Sequence, residues 1–354
     1  DLTFFNEWIG EGESPCFLPW NRNKRSLAVN LKDPEARDIV LRLAEKADVV
    51  VENFRPGVMA KLGLGYTDMA KRNPGIIYCS ATGWGPDGPY VNRPGQDLLV
   101  QGLSGAALAS GKRSDGPVAI GTALSDQLGA HHIVYAVLAA LLHQQRTGEG
   151  QEIQVNLLQS VLAFEMQDFF TVHNLGRSFE RPDSGIAHPG NGAPFGIYAT
   201  RDGYLSIAMN PWSKIMQALD DPGLACYDDP QCLYERRDEI YGVLAERLKH
   251  KTTDEWLEIM LALDIWCAPV LAQNQVGEDP QVQHLQAFVD IEHPRAGTVK
   301  VTNIPFRMSR TPGSIRMPAP LIGQHGEEIL REAGLTEEEI AGLIARRAVT
   351  VEKP

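Results

Sequence analysis

ADVVVENFRPG (residues 47–57) and, one short helix further on, GIIYCSATGW (75–84) decide how this chain folds. The first carries a short apolar, β-branched run that reads as a short buried strand, and the second reads as another strand. GVMAKLGLGYTDMAKR (57–72), between them, reads as helix. Ahead of them SLAVNL (26–31) alternates and predicts a strand. Asp33 then offers a side-chain N-cap and Pro34 suits the first helical turn. The helix they open is expected to reach about Lys46, with Ile39, Val40, Leu43 and Ala47 on one face. Strand, helix, strand, helix, strand predicts a parallel sheet with crossover helices, an α/β fold.

Ligands of such sheets sit beyond the carboxyl ends of the strands. That puts ENFRPG (52–57) and TGWGPDGPYVNRPGQD (82–97) on the binding edge. Neither is a GxGxxG or Walker sequence, so an ordinary dinucleotide or P-loop site is not supported. Further on, ALSDQLGA (123–130) opens a helix expected from about Asp126 to Arg146. Its most apolar part, LGAHHIVYAVLAALLH (128–143), is too short to span a bilayer and carries His131 and His132, so it reads as a buried core helix. A strand is expected at Glu152–Val155. From about Phe195 the character changes: GIYATRDGYLSIAM (196–209) reads as a hairpin with Asp202-Gly203 at its turn, and a second lobe is expected over roughly 195–310. The division is then 1–194, 195–310 and a closing segment 311–354 that returns to the large domain. In that segment Thr336 and Glu339 form a capping box before the final helix.

The bulk numbers narrow the function. At 354 residues with a net charge of −12 and pI near 5.3, the chain is not a general nucleic-acid binder, which needs a basic balance. Five scattered cysteines include no CxxC pair and no Cys/His ligand spacing, so no metal site is predicted and a reducing cytoplasm fits best. The start, DLTFFNEW, has no initiator methionine, and residues upstream are expected to be missing. One local exception to the acidic balance is WNRNKRS (20–26), with Arg22, Lys24 and Arg25 in four positions. From the residues alone these are either solvated charges beside an edge strand or a site for a small anionic group.

Together NRNKRSLAVNLKDPEAR, ADVVVENFRPG, GIIYCSATGWGPDGPY, RPGQD, RTGEGQEIQVNLLQS and APLIGQHGEEIL resemble the family III CoA-transferases, from Trp20 almost to the C-terminus. That family also holds carnitine and formyl-CoA transferases and the alpha-methylacyl-CoA racemases. The resemblance implies a Rossmann-like CoA-binding domain, a small lobe, and two chains interlocked as a homodimer. It also implies that the family's opening strand-helix-strand, part of the CoA site, is absent before Asp1. CoA is a substrate here, as an acyl-CoA thioester paired with a carboxylic acid, and no resident cofactor or membrane is expected. By family position Val29, Asn53, Phe54 and Lys61 belong to the adenosine pocket, Arg93 lies near the pantetheine or phosphate path, and Arg25 falls in the phosphate-facing cluster. Lys61 alone would equally be a helix-surface lysine.

CoA transfer between carboxylates needs a nucleophile that accepts an acyl group as an anhydride and then takes up the thiolate, and a carboxylate suits this. The resemblance assigns that role to Asp126, at a helix start where the anion is stabilised and where Gly129 and Ala130 leave room. Without it, Asp126 or Ser125 is simply an N-cap. Gln96 stands where the racemases carry the histidine of their acid-base pair, and an amide cannot shuttle protons. This counts against a racemase, although His131 and His132 are candidate substitutes that otherwise read as satisfied core residues. GIAHPGNGAPFG (185–196) corresponds to the family's glycine-rich loop over the acyl-enzyme, where Gly190 and Gly192 would let amides approach an oxyanion and exclude water. Its alternative is a plain surface turn. Asp168 in FEMQDFF ranks below Asp126, because it falls late in its helix and matches no family motif. An inactive acyl-CoA-binding homologue is the remaining alternative.

Overall fold

Three parallel strands, Val49–Glu52, Ile77–Thr82 and Gln151–Asn156, form the sheet that organises the binding edge, with Ile77–Thr82 in the middle. The computed structural model describes residues 7–353 except Arg177, so the opening DLTFFN lies outside it. The central strand is buried on both faces, from Ile77 and Cys79 through Ala81 and Thr82, which is why its sequence does not alternate. Register aligns Val51 with Cys79 and Cys79 with Ile153; Thr82 and Asn156 end opposite each other, and Glu52 stops two residues short, opposite Ser80, at the edge where the next loops begin. Asp33 caps the helix Pro34–Ala44 by accepting from the amides of Glu35 and Ala36. Residues 57–72 form two helices, Val58–Lys61 and Tyr66–Arg72, separated where Gly63 takes a φ of 73°.

SLAVNL does not join this sheet. Only Ala28–Val29 is extended as a strand, and it pairs antiparallel with Val349–Thr350 at the other end of the chain. Leu27 and Val29 pack in a cluster with Ile39, Leu330, Ile340, Leu343 and Val349. An alternating strand needs one apolar cover, and here the C-terminal helices Gly326–Glu332 and Glu337–Ala345 provide it.

The long helix runs Leu124–Thr147, and it is not a core helix within this chain. Among its described residues only Ser125, Gly129 and Ala140 are buried, while Val134, Tyr135, Leu138 and Leu142 are 50–62% exposed. Its apolar residues ring the whole circumference, whereas the sheet and the helix Leu157–Phe164 cover only one stripe. No helix among the described residues is long and apolar enough to cross a membrane.

Beyond it, Gly196–Ala199, Tyr204–Ile207 and Cys267–Pro269 form an antiparallel sheet, its first turn closed by the Thr200 amide donating to the Gly203 carbonyl. Tyr198, Leu205, Ile240, Leu244 and Met260 fill its core, to which Ile186 and Ala193 also belong. A further hairpin, Phe288–His293 with Gly297–Thr302, packs instead on Leu18 and Ala319. The Thr336 capping box is formed, with Glu339 reaching back to the Thr336 amide.

Candidate active site

At the carboxyl ends of the strands, Asn53, Phe54 and Arg93 line one groove of about 150 Å³ together with Thr82, Gly83, Trp84, Gly85 and Gly95. Asn53 is fixed by its side-chain amide, which donates to the Ala81 carbonyl at 2.7 Å. The Phe54 amide donates to the Glu52 carboxylate at 2.7 Å, and burial pushes that carboxyl above its ordinary range. Arg93 stacks on Tyr90 with its guanidinium 3.8 Å from the ring centroid, and Trp84 donates to the Pro94 carbonyl, folding the loop onto itself. Gly83 and Gly95 make this fold possible. A Cβ on Gly83 would lie 2.3 Å from the Gly95 Cα, so both loop strands must be glycine for the backbones to meet.

The remaining residues expected at the CoA site lie outside this groove. Arg25 holds Glu328 at 2.9 Å and Glu332 at 2.6 Å, and those carboxylates raise its pKa further. Arg22 donates to the Thr302 carbonyl and Lys24 to the Trp20 carbonyl. The basic cluster therefore ties the opening segment to neighbouring chain. Val29 is half-buried in the C-terminal cluster, and Lys61 is exposed at the end of Val58–Lys61.

Asp97, the last residue of RPGQD, joins the groove to the long helix. It is 9% exposed; one carboxylate oxygen accepts from the Ser125 amide at 2.6 Å and the other from the Gln101 side chain at 2.7 Å. Ser125 Oγ returns a bond to the Asp97 carbonyl at 3.2 Å. The N-cap position itself is Ala123, which has no side chain to give. Neither Ser125 nor Asp126 is the cap; Asp97 serves the helix start from across the fold. Asp126 is left in the first turn with no hydrogen bond to its carboxylate among the described residues. Partial burial and, second, the charge of Asp97 push its carboxyl above the ordinary aspartate range. Gly129 makes room for protein and not for a ligand, since a Cβ there would meet Leu157 Cδ2 at 2.6 Å.

Gln96, next to Asp97, is exposed and opens the helix Asp97–Ser104. His131 and His132 are satisfied, but by their own helix. Their Nδ1 atoms bond the Gln127 and Leu128 carbonyls at 2.8 Å, and neither ring is in the core.

The loop at 185–196 is built in two unlike halves. Gly192 presses on Leu233, where a Cβ would lie 2.5 Å from the carbonyl oxygen, and the Ala193 amide donates to that same carbonyl. Gly190 instead donates its amide to His188 Nδ1 at 3.0 Å, and His188 Nε2 meets Asp168 Oδ1 at 3.1 Å. Sequence reasoning passed over His188, although a histidine inside a glycine-proline loop was a signal, and it weighed Asp168 only as a nucleophile. It also missed Glu165, one helical turn before Asp168, whose Oε2 is buried without a partner among the described residues. Burial and Asp168 push that carboxyl upward.

The family described as CoA-transferase family III matches residues 3–326. Human succinyl-CoA:glutarate CoA-transferase is 34% identical over 326 residues, covering 90% of this chain and 74% of its own length. The succinyl-CoA–D-citramalate CoA-transferase of Chloroflexus aurantiacus is 32% identical, covering 93% of this chain and 83% of its own. Among solved structures, a CAIB/BAIF family protein from Brucella suis superposes with a TM-score of 0.79 at 31% identity, over 91% of this chain and 85% of that one. The chain belongs to CoA-transferase family III.

Proposed function

We propose that this chain moves CoA from an acyl-CoA thioester to a carboxylic acid, with Asp126 as the nucleophile. The observation that carries the reading is a carboxylate in the first turn of the long helix, without a hydrogen-bond partner among the described residues, beside a motif loop that Asp97 locks to that turn. Asp126 attacks the thioester carbonyl and expels CoA thiolate, giving a mixed anhydride. The thiolate then attacks the aspartyl carbonyl, releasing the donor acid and leaving an aspartyl-CoA thioester. The acceptor carboxylate attacks that thioester and frees the thiolate, which cleaves the new anhydride at the acceptor carbonyl. Acyl-CoA product leaves and Asp126 is regenerated. CoA binds as substrate in the groove of Asn53, Phe54 and Arg93. The names of the relatives support dicarboxylic acids as the substrate class.

The active form is an interlocked homodimer in this reading, with the parallel strands as the core of a Rossmann-like domain. The exposed apolar face of Val134, Tyr135, Leu138 and Leu142, continued by Phe164, Met166 and Phe170, supports burial against a second copy. The test is to incubate the protein with succinyl-CoA and hydroxylamine and to map the hydroxamate by mass spectrometry. It should form on Asp126 and vanish, with transfer, in a folded Asp126→Ala variant. Turnover at the wild-type rate by that variant would sink the assignment.

A further inference from the structure

The glycine-rich loop is closed at its neck by an antiparallel bridge, Ile186 with Gly196, and by the Ala187 amide donating to the Phe195 carbonyl at 3.0 Å. Above the neck its two halves are held differently. Backbone contacts with Leu233 fix the half that contains Gly192 and Ala193. The half that contains His188 and Gly190 is tied to the helix Met166–Leu175 through the imidazole: Gly190 amide to His188 Nδ1, His188 Nε2 to Asp168. Phe179 packs on that ring with centroids 6.3 Å apart. Because Nδ1 accepts from an amide, the ring proton sits on Nε2 and is donated to Asp168. A backbone amide has one proton to donate. While Gly190 donates to His188, it cannot serve a carbonyl oxygen elsewhere.

We propose that His188, oriented by Asp168, is the positioning residue of the glycine-rich loop: it holds the Gly190 N–H in the resting chain and yields it to the reacting carbonyl oxygen when the loop closes. The inference rests on the transfer reading above and deepens it. Asp168 is then an orienting carboxylate and not a second nucleophile. Gly190 sits on the half held through the His188 side chain, and Gly192 belongs to the half held by backbone contacts with Leu233. A side chain at position 190 would press on the imidazole, since a Cβ there lies 3.2 Å from His188 Nδ1 and Cε1. The intermediate at risk is the aspartyl-CoA thioester, which water would cleave to the free Asp126 carboxylate and CoA thiol. The tether is a bond of the resting loop only, so a loop without it covers that thioester more of the time.

The test loads the full chain with succinyl-CoA and follows the lifetime of the enzyme-CoA adduct by intact mass, in wild type, His188→Ala, Asp168→Asn and the double variant. Asp168→Asn keeps the shape of the side chain, so it remains informative if His188→Ala folds poorly. Each single change should lengthen the adduct lifetime about tenfold, the factor one net hydrogen bond is worth, and a shortened lifetime in both overturns the inference. The adduct of the double variant should live no longer than that of the longer-lived single, because the two residues act in series. A wild-type lifetime in both single variants, a lowered melting temperature with unchanged lifetime, or full additivity in the double overturns the inference and leaves the transfer reading standing. Absence of any Asp126 hydroxamate or CoA adduct in wild type overturns both.

Discussion

Removing the Asp97 side chain perturbs the link between the groove and Asp126, the proposed nucleophile, and its cost can be worked from the bonds it makes. In Asp97→Ala the Ser125 amide, on a residue with no exposed surface, loses the one acceptor it has among the described residues. A buried donor left unsatisfied costs about 1–3 kcal/mol. Gln101 loses its 2.7 Å bond but keeps a 3.3 Å contact to the Thr122 carbonyl and still accepts from the Ile120 amide, so its share is smaller. The expected total is roughly 2–4 kcal/mol of stability. Asp97→Asn keeps an oxygen for Ser125 but turns an amide toward Gln101, and should cost about 1 kcal/mol. Urea unfolding followed by tryptophan fluorescence measures both.

The same two variants test the electrostatics. Burial is the larger cause of the raised Asp126 carboxyl and Asp97 the second. Asp126 must be ionised to attack, so the acid limb of hydroxamate formation follows its pKa. Taking away a neighbouring negative charge lowers that pKa, and the limb should move to lower pH in both variants. Stability carries the same sign. A carboxyl raised in the fold loses stability as pH climbs from the ordinary aspartate value to the raised one, and Asp97→Asn should flatten that decline. An acid limb that stays with wild type in Asp97→Asn, or an Asp97→Ala chain as stable as wild type, refutes this account of the site.

Three further outcomes are expected. Gly83→Ala brings a Cβ to within 2.3 Å of the Gly95 Cα; prying two backbones apart should cost about 1–3 kcal/mol, and calorimetry should show CoA bound at least tenfold more weakly. Unchanged CoA affinity would detach the groove from the proposed site. Wild type should incorporate no solvent deuterium at the alpha carbon of a 2-methylacyl-CoA, because the exposed Gln96 amide supplies neither acid nor base. Rapid incorporation, lost on replacing His131 or His132, would favour the racemase chemistry instead. Leu138→Lys puts a charge in the middle of the exposed apolar face and should lower the mass seen by light scattering toward that of one chain. An unchanged dimer mass would move the interface elsewhere.

What the sequence made legible follows the range over which each signal acts. GIIYCSAT forms a doubly buried strand because it lies in the middle of the sheet, whereas ADVVVENF, which reads as a buried strand too, forms the sheet's edge, where Val51 stays exposed. The Asp33 and Thr336 caps lie within three residues of the amides they serve, so their motifs are self-contained. SLAVNL misleads for the opposite reason. Alternation specifies that one face is covered and says nothing of the partner, which arrives more than three hundred residues later as Val349–Thr350. The long helix misleads similarly: apolar content states that its faces avoid water, without stating whether this chain or another one covers them.

The site divides along the same line. Asn53, Phe54 and Arg93 could be placed together because each follows a parallel strand or its glycine loop, and the sheet brings strand ends to one edge. Arg25 stands in a motif of the right charge, but charge alone does not choose between a phosphate and two glutamates on a helix three hundred residues away. Asp126 was legible as a helix-start carboxylate, while the residue that relieves it of capping duty was not, since Asp97 reaches Ser125 from a separate helix. That division of labour matters chemically. A capping aspartate accepts from amides of its own first turn, which holds its oxygens in place and lowers its basicity. With Asp97 bonded to the Ser125 amide, the Asp126 carboxylate keeps its lone pairs free and its pKa raised, the condition a carboxylate nucleophile requires.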